Sequence, residues 1–341
     1  MASHGPKKDC KCRNYFREKQ IFPFLKIFLT FVNLMDNRRS IGARLVGGYL
    51  YLRGLLPLSY HRWWGRVMGR LLGSVLHYRY NVVITNLSRC FPEKDYDEIK
   101  AIAKRFYTHF ATVFTEMIWF GACRGDRGRK RLRESHIVEI TNPEELNRMY
   151  ACARQMVIME THAGNWELIG GLRNYSYGQE LDVTPDAFAV TYHPMHSAVW
   201  DSIMASNRTA PVADQGFDGY ISTDRTLRFV LENRERRYAY TFITDQRPYT
   251  GYGSEITFMG QKAGTVSAAA HLAVKLDMSV VYLRYRCREE GGYTMTFVPI
   301  CEHAAGQDPM EIMKKYYSLL EEDLREQPFN YLWTHKRWIK Y

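Results

Sequence analysis

A histidine and a glutamate stand five residues apart in the stretch THAGNWEL, at His162 and Glu167. A neutral imidazole accepts a proton from a hydroxyl, and a neighbouring carboxylate orients the imidazole and stabilises the imidazolium that forms. Five residues turn an ideal helix through about 500°, which places the two side chains on different faces. The pair can act together only if the chain changes direction between them.

The surrounding residues predict that change of direction. The apolar run MVIME at 156–160 has the length of a buried strand, and Gly164 permits a tight turn. Asn165 is a favourable helix cap, and we also count it among the candidate substrate-binding residues. His162 then lies at the carboxyl end of a strand, where ligands bind in open α/β sheets, and Glu167 lies in the first turn of a helix. The alternative is a structural histidine beside a helix-capping glutamate.

Strand-length runs alternate with helix-like segments through the second half of the chain. This pattern predicts an α/β fold, with a mixed, largely parallel sheet flanked by helices. The last two strands are joined by EEGG and predict a hairpin. The predicted strands are 156–160, 187–192, 238–244, 279–285 and 293–300. The predicted helices are 97–120, 309–326 and segments near 166–177, 196–207, 222–235 and 265–276.

The chain is basic: 47 Lys and Arg against 36 Asp and Glu give a formal net charge of +11 over 341 residues. Such a surplus favours a polyanionic partner. A basic stretch at 124–135, which we predict to be a loop, suits docking on anionic lipid or on an acidic carrier protein. Nucleic-acid binding rests on charge alone and lacks a recognisable module, so we expect none. Seven irregularly spaced cysteines predict reduced thiols.

Two apolar segments near the N-terminus carry cationic residues, at 21–35 and 45–58. The first is shorter than a spanning helix requires, so both predict interfacial helices on a membrane surface. Ordinary core helices and a short N-terminal anchor are the alternatives. We therefore divide the chain into a basic tail with interfacial membrane helices at 1–60 and a catalytic domain at 61–341.

Several familiar catalytic motifs are absent from the sequence. There is no Gly-x-Ser-x-Gly elbow of a serine hydrolase, no glycine-rich nucleotide loop and no His-Glu-x-x-His zinc motif. We expect neither a metal nor a bound cofactor. Without a nucleophile or a metal, the reaction that suits a histidine–carboxylate pair is direct attack of an acceptor hydroxyl on an activated acyl group.

Four segments occur in the order of a known family, and from about residue 40 onward the chain resembles the lipid A biosynthesis acyltransferases, the late lauroyl and myristoyl transferases, within the wider glycerolipid acyltransferases. The segments are NLSRCFPE at 86–93, THAGNWEL at 161–168, ITDQRP at 243–248 followed by FMGQKAGTVSAAAHLA at 258–273, and LEEDLREQPFNYLWTHKRWIKY at 320–341.

The resemblance implies roles for individual residues. His162 would be the catalytic base and Glu167 its charge partner. The turn Asp245, Gln246 and Arg247 would lie at the rim of the same site and orient the substrate or the base.

Two further segments are implicated by the same resemblance. Gly264 and Thr265 would open a helix whose amides meet an anionic group, or would simply cap that helix. His193 stands where the family usually has arginine before proline, so it either replaces that arginine or marks a different substrate.

The implied activity is transfer of a fatty acyl chain to a hydroxyl of a lipid A precursor or related glycolipid. The acyl donor would be an acyl carrier protein thioester, with a coenzyme A thioester as the alternative. The enzyme would work on the cytoplasmic face of the bacterial inner membrane. Rival readings are a lyso-phospholipid or aminolipid acceptor, or a noncatalytic membrane-binding relative.

Overall fold

The computed structural model describes residues 41–195, 197–248 and 253–338. The predicted interfacial segment at 21–35 and the basic tail before it lie outside these residues.

Helices pack on both faces of a central sheet. The α-helices of the described ranges are α1 Ile41–Gly54, α2 Leu58–Arg70, α3 Tyr80–Cys90, α4 Tyr96–Phe120, α5 Gly125–Glu134, α6 Pro143–Cys152, α7 Ala198–Arg208, α8 Thr226–Glu232, α9 Ala268–Lys275 and α10 Pro309–Glu326. A π-helical turn, Leu71–Val75, follows α2, and two 3₁₀ helices cover Trp166–Asn174 and Pro185–Ala187.

The sheet is mostly parallel, as the alternation of strands and helices predicts. Its strands are β1 Val138–Ile140, β2 Gln155–Glu160, β3 Phe188–Tyr192, β4 Tyr220–Ser222, β5 Tyr238–Ile243, β8 Ser279–Cys287 and β9 Tyr293–Cys301, in the order β1-β9-β8-β2-β5-β3-β4. Only the β8–β9 pair is antiparallel among these neighbours, which confirms the predicted hairpin.

The strand β2 lies in the middle of the sheet and is buried along its whole length. Val157 and Met159 point into one apolar layer, and Met156 and Ile158 point into the other. Burial on both faces is expected for a central parallel strand and explains its continuous apolar run. The end of β2 is therefore a rigid support for the residues that follow it.

Local sequence signals set the ends of the two longest helices. At the start of α4, the Asp95 carboxylate accepts from the backbone N–H of Glu98, and the Glu98 carboxylate accepts from the backbone N–H of Asp95. This reciprocal cap satisfies two N–H groups that a helix leaves open. Asp308 caps α10 through the N–H of Met310, with Pro309 in the first turn. Both helices match their predicted bounds to within one residue.

Two sequence predictions were wrong about local structure. Gly264 and Thr265 do not open a helix: they end β7 Gln261–Thr265, which forms a separate antiparallel hairpin with β6 Ser254–Phe258, and α9 begins only at Ala268. The basic stretch 124–135 is mainly helix α5 and not a loop. Arg, Lys and Glu are good helix formers, and Leu132 gives this helix a buried contact.

The second predicted interfacial segment, 45–58, covers most of α1 and the start of α2. Leu45, Tyr49 and Leu52 on α1 and Leu55 after it are exposed, so they do not serve as core residues in the described structure. Across the described ranges, no helix combines the length and apolar character needed to cross a membrane.

Two glycines in tight turns have positive φ angles but different surroundings. Gly164 follows β2 with φ +62°, and a Cβ atom built there would lie 2.0 Å from the Tyr285 ring. Gly260 joins β6 to β7 with φ +70°, and a Cβ atom there would have no neighbour within 4 Å. Gly164 is therefore required for both backbone conformation and close packing, whereas Gly260 is required for conformation alone.

These surroundings predict unequal costs for alanine. Gly164→Ala should lower the free energy of unfolding by about 2–4 kcal/mol, because it adds a steric clash to an unfavourable φ. The matched control Gly260→Ala should cost only about 1 kcal/mol. Urea denaturation followed by circular dichroism measures both values. Equal losses would contradict the tight packing of Gly164 on Tyr285.

Candidate active site

The candidate catalytic histidine lies in a turn at the carboxyl end of β2. The strand ends at Glu160, the chain turns through Ala163 and Gly164, and the 3₁₀ helix begins at Trp166. This is the strand–turn–helix junction that the sequence predicts. The N–H of Gly164 donates to Asn330 Oδ1 at 2.7 Å, which ties the turn to the C-terminal segment.

Asp245 holds His162 through two hydrogen bonds. His162 Nδ1 lies 2.7 Å from Asp245 Oδ1, and the backbone N–H of His162 donates to Oδ2 at 3.2 Å. The sheet register explains the contact: Glu160 pairs with Ile243, so His162 and Asp245 each lie two residues beyond paired strand ends. The carboxylate is 1% exposed and the imidazole 15% exposed, so only the imidazole is open to a substrate.

The Asp245 carboxyl is held in its ionised form. Burial by itself would raise its pKa, but the charge and hydrogen bonds of His162 and the charge of Arg337 outweigh burial and keep the pKa below its ordinary value. An ionised carboxylate can only accept hydrogen bonds, so His162 donates from Nδ1. The remaining nitrogen, Nε2, then carries the lone pair that a general base needs.

Gln246 lies against the imidazole of His162. Its amide nitrogen lies 3.1 Å from His162 Nε2 and 3.3 Å from Nδ1. Because the two ring nitrogens are almost equally distant, the amide lies over the ring and not along the in-plane lone pair of Nε2. Gln246 therefore does not block that lone pair, and a hydroxyl can approach it in the plane of the ring.

The sequence predicts that Glu167 contacts His162, but in the structure it does not. Its carboxylate, 3% exposed, forms a two-pronged ion pair with Arg208 of α7, at 2.5 Å to Nε and 2.7 Å to Nη2. Arg208 also donates to the Tyr220 hydroxyl at 2.9 Å. The predicted pairing is wrong because the helix after the turn carries Glu167 toward α7, while the strand register brings Asp245 to the imidazole.

Glu167 reaches the histidine indirectly, through its neighbour in sequence. The Trp166 indole N–H donates to Glu167 Oε1 at 3.0 Å, and the indole packs edge-on against the His162 ring with centroids 5.1 Å apart. The ion pair with Arg208 therefore fixes an aromatic wall of the candidate site. Its catalytic role stays a prediction, and the structure supports a positioning role for it.

The last residue of β2, Glu160, is a second buried carboxyl beside this network. Burial, together with the charges of Glu167 and Asp245, raises its pKa well above the ordinary value. The shift favours the protonated form, which avoids a third buried negative charge near His162.

The remaining predicted residues lie at different places. Asn165 is buried and does not cap the 3₁₀ helix: its amide donates to Glu116 Oε2 at 3.0 Å. It thereby supports the turn that carries the proposed base His162, which we call the catalytic turn. His193 follows β3 at the same carboxyl edge, with Nδ1 3.3 Å from the Thr223 hydroxyl. Arg247 follows Gln246 and is partly exposed.

Gly264 and Thr265, the last two residues of β7, contact Arg337 and Tyr317. The Gly264 carbonyl accepts from Arg337 Nη1 at 2.5 Å, and the Thr265 hydroxyl lies 2.8 Å from the Tyr317 hydroxyl. In the described part of the chain, no cluster of His, Cys, Asp and Glu residues has the arrangement of a metal site.

The sequence profile of the bacterial lipid A biosynthesis acyltransferases matches residues 31–340. The chain belongs to this family. It is therefore an acyltransferase that acts on a lipid acceptor. A search of curated proteins found no significant match to the chain.

Sequence reasoning missed two arginines of this acyltransferase. Arg208 lies in a helix without a recognisable motif, and only the fold shows that it pairs with Glu167. Arg337 lies within the C-terminal segment that resembles the family, but no local signal in that segment singles it out. It is buried, and it donates to the Tyr317 hydroxyl at 2.7 Å and to the Gly264 carbonyl.

Removal of Arg208 should destabilise the protein, because it leaves the buried Glu167 carboxylate without its ion-pair partner. We expect Arg208→Ala to lower the free energy of unfolding by about 3 kcal/mol. Adding Glu167→Gln should restore part of this loss, because it removes the stranded charge. Arg228→Ala, which breaks an exposed pair with Glu232, is the control and should have no measurable effect. Urea unfolding compares all three, and equal stability of the two arginine variants would contradict the structural importance of the buried pair.

Proposed function

We propose that this acyltransferase moves a fatty acyl chain from an acyl carrier protein thioester to a hydroxyl of a lipid A precursor or related glycolipid. One observation carries the proposal: in a member of this family, His162 is oriented by a buried Asp245 so that Nε2 is the basic nitrogen. A base of this kind activates a hydroxyl without a metal or a covalent intermediate.

The reaction would begin when the acceptor hydroxyl forms a hydrogen bond to His162 Nε2. The imidazole takes the hydroxyl proton as the oxygen attacks the thioester carbonyl carbon, and a tetrahedral intermediate forms. Collapse of the intermediate breaks the carbon–sulfur bond, and the departing thiolate receives the proton from the imidazolium. The products are an ester and a free thiol, and the base returns to its starting state.

Two neighbours would assist these steps without changing their protonation. Asp245 stays ionised and stabilises the imidazolium, as the carboxylate of a catalytic triad does. The Gln246 amide, which lies against the imidazole, would lie close enough to donate to an oxygen of the bound substrate. Because amide donors near a developing oxyanion lower the barrier, such a hydrogen bond would favour the tetrahedral intermediate.

Charge supports the carrier protein as the donor. The acyl carrier proteins that serve members of this family are acidic, and this chain has a formal net charge of +11. Exposed Arg127 and Lys130 on α5 offer one cationic surface for such a partner. Opposite charge speeds the encounter of two proteins and is sensitive to salt.

The exposed apolar residues of α1 support a membrane location. Leu45 and Leu52 lie on the same short helix as Arg44 and Arg53, an arrangement that suits the interface of an anionic membrane. We propose that the enzyme works on the cytoplasmic face of the bacterial inner membrane, where carrier protein and lipid acceptor meet.

Loss of the proposed base should abolish transfer. His162→Ala should lower kcat about 1,000-fold, because general-base catalysis typically contributes two to four orders of magnitude. The assay supplies acyl carrier protein with a labelled acyl chain and, in detergent micelles, either a lipid A precursor or a lyso-phospholipid. The exposed His271 provides the matched control, and His271→Ala should retain the wild-type rate.

Four outcomes would contradict the proposal. Unchanged transfer by His162→Ala would remove the base assignment. Preference for the lyso-phospholipid would change the acceptor, and a product that resists mild alkaline hydrolysis would be an amide and not an ester. Transfer from acyl-coenzyme A at a higher kcat/KM than from the carrier protein would change the donor.

A further inference from the structure

A cavity opens at the same edge of the sheet as His162. It has a volume of about 610 Å³ and lies between α2, α4 and the turn that joins β8 to β9. We call it the α2–α4 cavity. Cationic side chains line it, namely Arg62, Arg66, Lys104, Arg105 and Arg288. Glu116 and Glu289 are the two carboxylates of the lining, so positive charge is in excess by three.

Three of these cations are available to a ligand. Arg66, Lys104 and Arg105 are exposed and form no ion pair within the described ranges. The Arg105 guanidinium lies over the Phe329 ring, 4.0 Å from its centroid, which holds it in place without neutralising it. Like charges gathered at one opening repel each other unless an anion binds between them.

The other two arginines are held close together at the inner end of the cavity. A Cβ atom at Gly292 would lie 2.7 Å from Arg288 Nη2 and 3.2 Å from Arg62 Nη2, so the absence of a side chain there leaves room for both guanidinium groups. Arg62 pairs with Glu116 and Arg288 with Glu139. Even so, Arg62 Nη2 is buried and has no hydrogen-bond partner among the described residues. A donor of this kind normally has an acceptor.

His109 adds another unpaired polar atom to the lining. Burial lowers its pKa to about 4, with a small opposing effect from the Gly164 backbone, so the ring is neutral at pH 7. Its Nε2 atom is buried and has no partner in the described structure. Together with Arg62 Nη2, it makes the cavity a polar site with unused hydrogen-bonding capacity.

One buried carboxylate links this cavity to the catalytic turn. Glu116 Oε1 accepts from Arg62 at 2.9 Å, while Oε2 accepts from the Tyr293 hydroxyl at 2.7 Å and from Asn165 at 3.0 Å. Asn165 directly follows the Gly164 turn that carries His162. The α2–α4 cavity and the catalytic histidine therefore lie on two sides of the same short turn.

The surroundings of the cavity favour an anion that is attached to a lipid. Trp63 is exposed on α2 and lies three residues from Arg66, which places the two on neighbouring positions of the helix surface. The adjacent helix α1 exposes the apolar residues described above. Phe329 and Tyr293 add aromatic walls. Aromatic and cationic side chains together are typical of protein contacts with lipid head groups.

We propose that the α2–α4 cavity binds a phosphate group of the lipid acceptor while the acceptor hydroxyl approaches His162 around the catalytic turn. Arg66, Lys104 and Arg105 bind the phosphate oxygens at the opening of the cavity. The buried atoms Arg62 Nη2 and His109 Nε2 form further hydrogen bonds inside it. The assignment rests on the proposed function only in that it takes the lipid acceptor as the source of the phosphate.

Direct binding tests the site without catalysis. The probe is lauroyl lysophosphatidate below its micelle-forming concentration, and 1-lauroylglycerol is the phosphate-free comparison. Calorimetry should show that the wild-type protein binds the phosphate-bearing lipid more tightly. Arg66→Glu combined with Lys104→Glu should weaken that binding roughly tenfold, since each reversal replaces attraction by repulsion.

A matched pair of substitutions controls for net charge. Arg228→Glu combined with Lys275→Glu changes the same total charge at exposed positions of α8 and α9, outside the lining of the cavity, and should alter binding less than twofold. Arg66→Ala combined with Lys104→Ala provides a milder variant, and thermal unfolding verifies that each protein is folded.

Three results would overturn the inference: equal binding of the two lipids, equal weakening by the cavity variant and by the control variant of α8 and α9, or inorganic phosphate that binds as tightly as the lipid. Failure of the proposed function would give a different combination of binding and transfer results. His162→Ala should lose transfer and keep lysophosphatidate binding. A wild-type protein that binds the lipid through the cavity but transfers no acyl chain would refute the function and leave the phosphate site intact.

Discussion

The hydrogen bond between His162 and Asp245 depends on the pairing of two parallel strands. Because Glu160 of β2 and Ile243 of β5 are aligned, the residues two positions further on each strand face each other. A shift of one residue would place the wrong face of the chain at the site. The central position of β2, with apolar layers on both faces, makes such a shift costly. The packing of the sheet therefore determines that Asp245 contacts Nδ1 of His162 and that Nε2 is the basic nitrogen.

Burial of Asp245 requires groups from distant parts of the chain. Its backbone carbonyl accepts from the Tyr331 hydroxyl at 3.4 Å, and the charge of Arg337 lowers its pKa. Arg337 is fixed in turn by the Gly264 carbonyl of β7 and by Tyr317 of α10. The C-terminal segment thus stabilises the buried charge beside the proposed base, and the β6–β7 hairpin helps to hold that segment in place.

Patterns of local sequence predicted much of the fold and part of the site. Apolar runs and their spacing identified the five long strands, and the β8–β9 hairpin, α4 and α10 were found close to their observed bounds. The short strands β1 and β4, of three residues each, have too few residues for a pattern. The β6–β7 hairpin was missed because GTVS resembles a helix start, whereas the pairing that decides its structure lies across the Met259–Gly260 turn.

The partner of His162 could not be settled by the same means. Glu167 and Asp245 are both carboxylates in segments that match the family, and Glu167 is much nearer to His162 in the sequence. Only strand register and the direction of the helix after Gly164 decide between them. Arg208 has no local signal at all, although it provides the counter-charge that permits Glu167 to be buried. Interactions between distant segments therefore carry the information that spacing lacks.

The most direct test is nuclear magnetic resonance of the protein labelled with ¹⁵N at histidine. The structure predicts a strongly deshielded Nδ1–H proton on His162, with Nε2 unprotonated in the neutral ring. That proton signal should disappear in Asp245→Asn and persist in Glu167→Gln. A signal that survives Asp245→Asn, or one that is lost only in Glu167→Gln, would contradict Asp245 as the partner of His162, the proposed base.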